Sequence, residues 1–190
     1  MSVEIRPFDS LGAFQLDWLD AKHHFSFGHY YDPARMGIGP LRVWNDDAIR
    51  PRTGFDPHPH RDMEIITYAE YNLEDDLTRI FQIWIMPRSQ GGAPRWETRA
   101  FPKDAGDGAL KALASGRPGV EDVAPIDQDA TLFAGTIAAG GTVEQPLGRD
   151  RQAYLVVARG SIRVDGKPAR ARDGIEAEEE AEVILVDLPL

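Results

Sequence analysis

The side chains best suited to chemistry in this 190-residue chain are two imidazoles, His58 and His60, in the stretch Gly54-Phe55-Asp56-Pro57-His58-Pro59-His60-Arg61-Asp62-Met63-Glu64. They follow a turn marked by Gly and Pro and stand at the mouth of an apolar run from Met63 to Tyr68. On an extended strand, residues i and i+2 share one face about 6.6 Å apart, so both rings can converge on one ion. Neutral imidazole suits Fe, Zn, Cu and Ni, and two histidines with one carboxylate leave open positions on non-haem Fe(II). The spacing alone equally describes polar surface or a hydrogen-bonded core histidine. Glu64 shares the parity of the pair and is a candidate replacement carboxylate. Cysteine is absent, so thiolate sites and disulfides are excluded and any ion must be held by His, Asp or Glu.

The elements that must position this pair read as strands. Val3-Glu4-Ile5 and Leu41-Arg42-Val43-Trp44 alternate apolar and polar residues, and Ile65-Ile66-Thr67-Tyr68 is β-branched and aromatic. Ile80 to Ile85 predicts another strand, stopped at Met86-Pro87 because proline cannot donate to a ladder. Residues 11–24 lack a clean period and read as a short helical turn or irregular cover. Gly and Pro recur from 87 to 107 and mark a linker, dividing the chain into domains at 1–107 and 108–190. Beyond the linker, 130–137, 153–158, 161–164 and 182–186 read as short strands between turns such as Asp165-Gly166-Lys167-Pro168. Such spacing indicates an all-β barrel or sandwich. All five histidines lie between positions 23 and 60, which leaves the second domain a structural task. The acidic run from Asp173 to Glu182 reads as a solvated turn.

Composition narrows the function classes. A hydrophobic content of 42% supports a packed core, and a formal charge of −10 repels phosphate backbones, so direct nucleic-acid binding is not expected. The N-terminus shows no apolar signal region and no window approaches a membrane span, so a cytoplasmic protein without membrane attachment is expected.

Four longer stretches carry a resemblance. His23-His24-Phe25-Ser26-Phe27-Gly28-His29-Tyr30-Tyr31-Asp32-Pro33, Leu41-Arg42-Val43-Trp44-Asn45-Asp46-Asp47, His58-Pro59-His60-Arg61-Asp62-Met63-Glu64 and Phe81-Gln82-Ile83-Trp84-Ile85, in this order, resemble the pirin family. Tyr154 to Gly160 and Val183 to Leu188 resemble its C-terminal domain. The resemblance implies a bicupin: an all-β chain of two cupin-type β-barrel or sandwich domains in tandem, with a divalent metal in the first only. It also implies a quercetin 2,3-dioxygenase-type oxidoreductase that cleaves a flavonol, a small aromatic substrate, with O₂. Fe(II) is the expected ion, with Ni, Zn, Cu or Mn as substitutes. The alternative is a non-enzymatic metal-binding regulator or protein-interaction scaffold with a degenerate site, because eukaryotic pirins act as transcription cofactors. The resemblance gives His23, His24 and His29 packing and hydrogen-bonding roles. Trp44, Phe81 and Trp84 are expected in the core rather than as platforms for a flavonol.

The family's metal set resembles two histidines from one strand and a His-x-Glu pair from a later one. Here His58 and His60 match the first pair and Glu70 matches the carboxylate, whereas the third histidine has no counterpart. Internal deletions after Tyr68 and near Gly174 account for this. If residues 60 to 70 stay extended, Glu70 lies about 33 Å from His60, and Ile65 to Ala69 offers no turn residue to fold it back. Lost strands also leave unpaired edges. A rebuilt barrel in a monomer, a domain-swapped dimer, or a sequence written with segments closed up would each answer the deficit.

Overall fold

Short runs of β-branched and aromatic residues between turns fold as strands, with one turn of 3-10 helix at Phe8–Ser10, throughout the described residues of the computed structural model, which are 3–69, 76–101, 109–170 and 181–190. By contact the chain divides into one unit of Ser10–Ala93 and a second of Met1–Asp9 with Pro94–Leu190. The first nine residues accompany the second unit because Ile5 packs against Val157, Ile162, Ala181 and Val183 and Lys167 Nζ donates to the Val3 carbonyl at 2.6 Å. Val3-Glu4-Ile5 is therefore not the strand its alternation suggests; it is anchored by side chains rather than by a ladder.

The unit of Ser10–Ala93 holds a five-stranded antiparallel sheet in the order β1–β2–β3–β5–β4. Its strands are β1 (Gly12–Gln15), β2 (Leu19–His23), β3 (Leu41–Ile49), β4 (Glu64–Ala69) and β5 (Thr78–Ile85). β3 is central and buried along nearly its whole length, and Trp44 and Phe81 meet edge to face in the interior at 6.2 Å between centroids. Residues 11–24, expected as helical or irregular, instead supply β1 and β2. Their order comes from a partner: β2 pairs with β3 from Leu19↔Ile49 to His23↔Asn45, and Leu19, Ala21 and Ile49 bury together beneath Phe14, Trp18 and Ile80. Gly12 is required here, because a Cβ would overlap the Tyr30 ring that lies across β1. β4 runs unbroken through Tyr68 and Ala69 and pairs with β5 from Glu64↔Ile85 to Ala69↔Ile80.

In the second unit a five-stranded sheet has the order β7–β6–β8–β12–β9, from β6 (Lys111–Ser115), β7 (Ala124–Pro125), β8 (Thr131–Ile137), β9 (Arg151–Arg159) and β12 (Ala181–Pro189). β10 (Ser161–Val164) and β11 (Lys167–Arg170) form a hairpin with Val164 opposite Lys167. Its two-residue loop, Asp165-Gly166, takes φ of 48° and 75°, the left-handed pair that favours Gly and tolerates Asp. β12, between β8 and β9, is buried along nearly its whole length, and it carries Asp187, whose carboxylate accepts from Arg117 Nη1 at 2.6 Å and from Arg151 Nε at 2.8 Å. Of the acidic run, Asp173 to Glu180 lie outside the described residues, and Glu182 is a buried member of β12 rather than part of a solvated turn.

Candidate metal centre

His58 and His60 come together, though not by sharing a strand face. Residues 53–61 are irregular, and Pro57 and Pro59 withhold the N–H groups a ladder needs. Aromatic neighbours hold the pair instead. The two rings meet edge to face at 4.5 Å between centroids, His60 stands edge-on to Trp84 of β5 at 4.8 Å, and His58 lies 6.5 Å from Phe55, itself against Trp18. The chain then turns into β4 through Asp62, whose φ of 50° lies in the left-handed region and whose Oδ1 accepts from Gly91 N at 2.7 Å. Asp62 is thus a turn residue with a backbone partner.

The tautomer of His58 follows from its neighbour. The Asp56 carbonyl, 2.7 Å from Nδ1, can only accept, so Nδ1 carries the proton and Nε2 keeps its lone pair for a cation. Both side chains are exposed. Partial desolvation, and secondly repulsion from His58, lower the His60 imidazole below its ordinary value, which keeps it neutral as a donor. The pair is therefore chemically fit to hold a divalent ion through two nitrogens. No group of three His, Asp or Glu suited to a metal occurs among the described residues. Glu64 sits half-buried at the start of β4 opposite Ile85 and joins no such group. Glu70 lies outside the described residues, immediately after Ala69. Ala69 pairs with Ile80, four residues along β5 from Trp84, a separation of about 13 Å on an extended strand.

Beside the pair the sheet carries a polar row that the histidine motif does not announce. His23 Nδ1 donates to Asn45 Oδ1 at 2.8 Å, and Gln82 Nε2 donates to Asp47 Oδ2 at 2.7 Å. The pairings His23↔Asn45 and Asn45↔Gln82 place these residues on the face that also bears Trp84. Burial lowers the His23 imidazole, and its bond to Asn45 only partly opposes this. His24 is buried against Trp44, and His29 lies 6.2 Å from the Phe14 ring, so neither is a ligand in this arrangement. Trp84 Nε1 and Asp47 Oδ1 are buried on this face without a hydrogen-bond partner among the described residues. Trp84 is thus only partly a core residue, since it also supports His60. The signal for Asp47 was available: Asn45-Asp46-Asp47 interrupts a strand whose other residues are mostly apolar.

Burial pushes the Asp47 carboxyl up to about 6, with the Gln82 bond opposing it. Asp46 reaches about 6 as well, chiefly through burial, with Arg79 pulling it down and Asp20 pushing it up. A raised carboxyl means that between about pH 4 and 6 the folded state binds more protons than the unfolded state. Stability therefore falls as pH rises through that window, and the penalty is complete above it. Asp47→Asn, which keeps the acceptor for Gln82, is expected to raise stability by about 1–2 kcal/mol at neutral pH. Denaturant titrations at neutral pH and near pH 4 check this, because the gain should vanish at the lower pH.

Comparison with known proteins decides the lineage. The Pirin family model matches residues 5–71, and a model described as the quercetinase C-terminal cupin domain matches residues 112–188. A pirin-like protein of Caulobacter vibrioides is 45% identical, over 97% of this chain and 99% of that protein. The chain belongs to the pirin family. Its two tandem β units are accordingly those of an all-β bicupin. This pirin is also 44% identical to a putative quercetin 2,3-dioxygenase of Pseudomonas aeruginosa, over 98% of this chain and 99% of that protein. The crystal structure of the bacterial pirin YhhW from Escherichia coli in complex with nickel(II) superposes with a TM-score of 0.85 at 28% identity, over 98% of both chains. The Caulobacter match runs over 229 residues of alignment, at least 39 more than the 190 of this pirin, so the shortening lies within the match.

Proposed function

We propose that this pirin is a metal-binding cupin oxidoreductase of the quercetin 2,3-dioxygenase type, with His58 and His60 as two ligands and Glu70 as the carboxylate. The observation that carries the reading is the histidine pair itself: two imidazole rings 4.5 Å apart between centroids, one oriented by the Asp56 carbonyl. The similarity to a putative quercetin 2,3-dioxygenase and to a nickel-bound pirin supports it. A bound divalent ion, Fe(II) first and Ni, Zn, Cu or Mn as substitutes, would supply open positions for a substrate oxygen and for O₂. The chain's own part is to hold the two nitrogens, and the Trp84 ring fixes the orientation of His60. The substrate proposed is a flavonol, and the location proposed is cytoplasmic.

Iron-loaded protein is expected to consume O₂ in the presence of quercetin, and Glu70→Gln is expected to lower turnover by about a hundredfold while the far-ultraviolet dichroism is unchanged. Iron that binds without any flavonol-dependent O₂ uptake would sink the enzymatic reading. A specific observation favours a second reading: no three-ligand group occurs among the described residues, and β4 carries the chain about 13 Å along β5 before position 70. That reading is a metal-binding pirin that acts as a regulator or interaction scaffold without turnover.

A further inference from the structure

We propose that Gln82 of β5 selects the substrate, presenting its amide carbonyl to a hydroxyl on an aromatic ring that lies against Ile65 and Trp84. The cross-strand pairs Ile65↔Trp84 and Thr67↔Gln82 set these four side chains together on one face of the sheet, the face on which His60 stands edge-on to Trp84. Ile65 and Thr67 are exposed, and Gln82 and Trp84 are half-buried. The patch therefore has an apolar half next to the histidine pair and a polar half one ladder step away. Gln82 and Trp84, two residues apart on β5, are separated by about 6.6 Å. That is the reach from the middle of a six-membered ring to the partner of its hydroxyl.

Asp47 decides which end of the amide a ligand meets. It is 1% exposed, Gln82 Nε2 donates to its Oδ2 at 2.7 Å, and its Oδ1 has no hydrogen-bond partner among the described residues. An ionised carboxylate can only accept, so it holds the amide nitrogen of Gln82 toward β3 and turns the carbonyl oxygen away. The Gln82 side chain makes no other hydrogen bond among the described residues, and the Thr67 hydroxyl makes none there. A carbonyl left in this state calls for a donor, and a hydroxyl supplies one. The exposed Ile65 and the Trp84 ring beside it favour a flat aromatic body for the molecule that carries that hydroxyl. Asp47 is thus a positioning residue that acts through Gln82. The inference rests on the aromatic substrate of the proposed function but not on its ion.

Binding is read by quenching of tryptophan fluorescence in the full chain after chelator treatment, so that neither turnover nor metal contributes. The two probes are quercetin and its fully O-methylated ether, which keeps the rings and loses every hydroxyl donor. Gln82→Leu is expected to weaken quercetin binding about fivefold, and to leave the ether, already the weaker ligand, unchanged. Asp47→Asn offers a neutral carboxamide that meets Gln82 either way round. It is expected to weaken quercetin binding about twofold, because only half the amides then present the carbonyl. In the Gln82→Leu background it should add no further loss. A distorted patch would weaken both probes together. Equal loss for the two probes, no loss in Gln82→Leu, or no quercetin binding by the metal-free chain would overturn the proposal. Gln82-dependent binding of quercetin by a protein that takes up no O₂ when loaded with iron would support it and sink only the enzymatic reading.

Discussion

Replacing Asp187 with asparagine is expected to lower the free energy of unfolding by about 3–5 kcal/mol, the largest stability effect foreseen for a single substitution here. Asp187 is 2% exposed and holds two cations at once, Arg117 Nη1 at 2.6 Å and Arg151 Nε at 2.8 Å. Arg151 is itself largely buried and makes a further pair with Asp129 Oδ2 at 3.0 Å. Its guanidinium is held above the ordinary value by Asp187 and Asp129 against the opposing effect of burial. Asparagine preserves the shape and one acceptor but leaves a buried guanidinium without its main counter-charge. The cost arises from the cation left behind rather than from any net gain of the intact pair, whose desolvation offsets most of its attraction. Chemical denaturation of Asp187→Asn checks the magnitude, and adding Arg151→Met should recover part of the loss. A change under about 1 kcal/mol would mean that the network is effectively solvated.

The second large effect concerns the histidine pair. His58→Ala/His60→Ala is expected to remove metal binding altogether, with elemental analysis of purified protein falling from about one ion per chain to background. Truncating both rings leaves Trp84 and Phe55 without their imidazole neighbours but touches no buried core residue, so thermal stability of the metal-free protein should change little. The contrast separates ligand loss from unfolding. A chelator-stripped sample of the unmodified chain supplies the reference, and unchanged metal content in the double variant would exclude the pair as ligands. Acid should act in the same direction: burial and the neighbouring His58 lower the proton affinity of His60, which keeps its ring a donor at neutral pH, and its protonation in acid competes directly with the ion.

Part of this protein can be read from its residues alone. The strand stretches at 41–44, 65–68 and 80–85 follow from alternating, β-branched and aromatic runs, the Asp165-Gly166 turn from its residue types, and the histidine pair from spacing. These signals are local, so the sequence determined them. Tertiary structure decided what depends on distant partners. β1 and β2 lack a clean period because their order is set by pairing with β3 and by burial of Leu19 and Ala21 against Ile49. His58 and His60 converge although two prolines keep them off a strand, because Trp84, more than twenty residues later, supplies the surface. Asp47 is a carboxyl raised to about 6 only because the sheet excludes water from it.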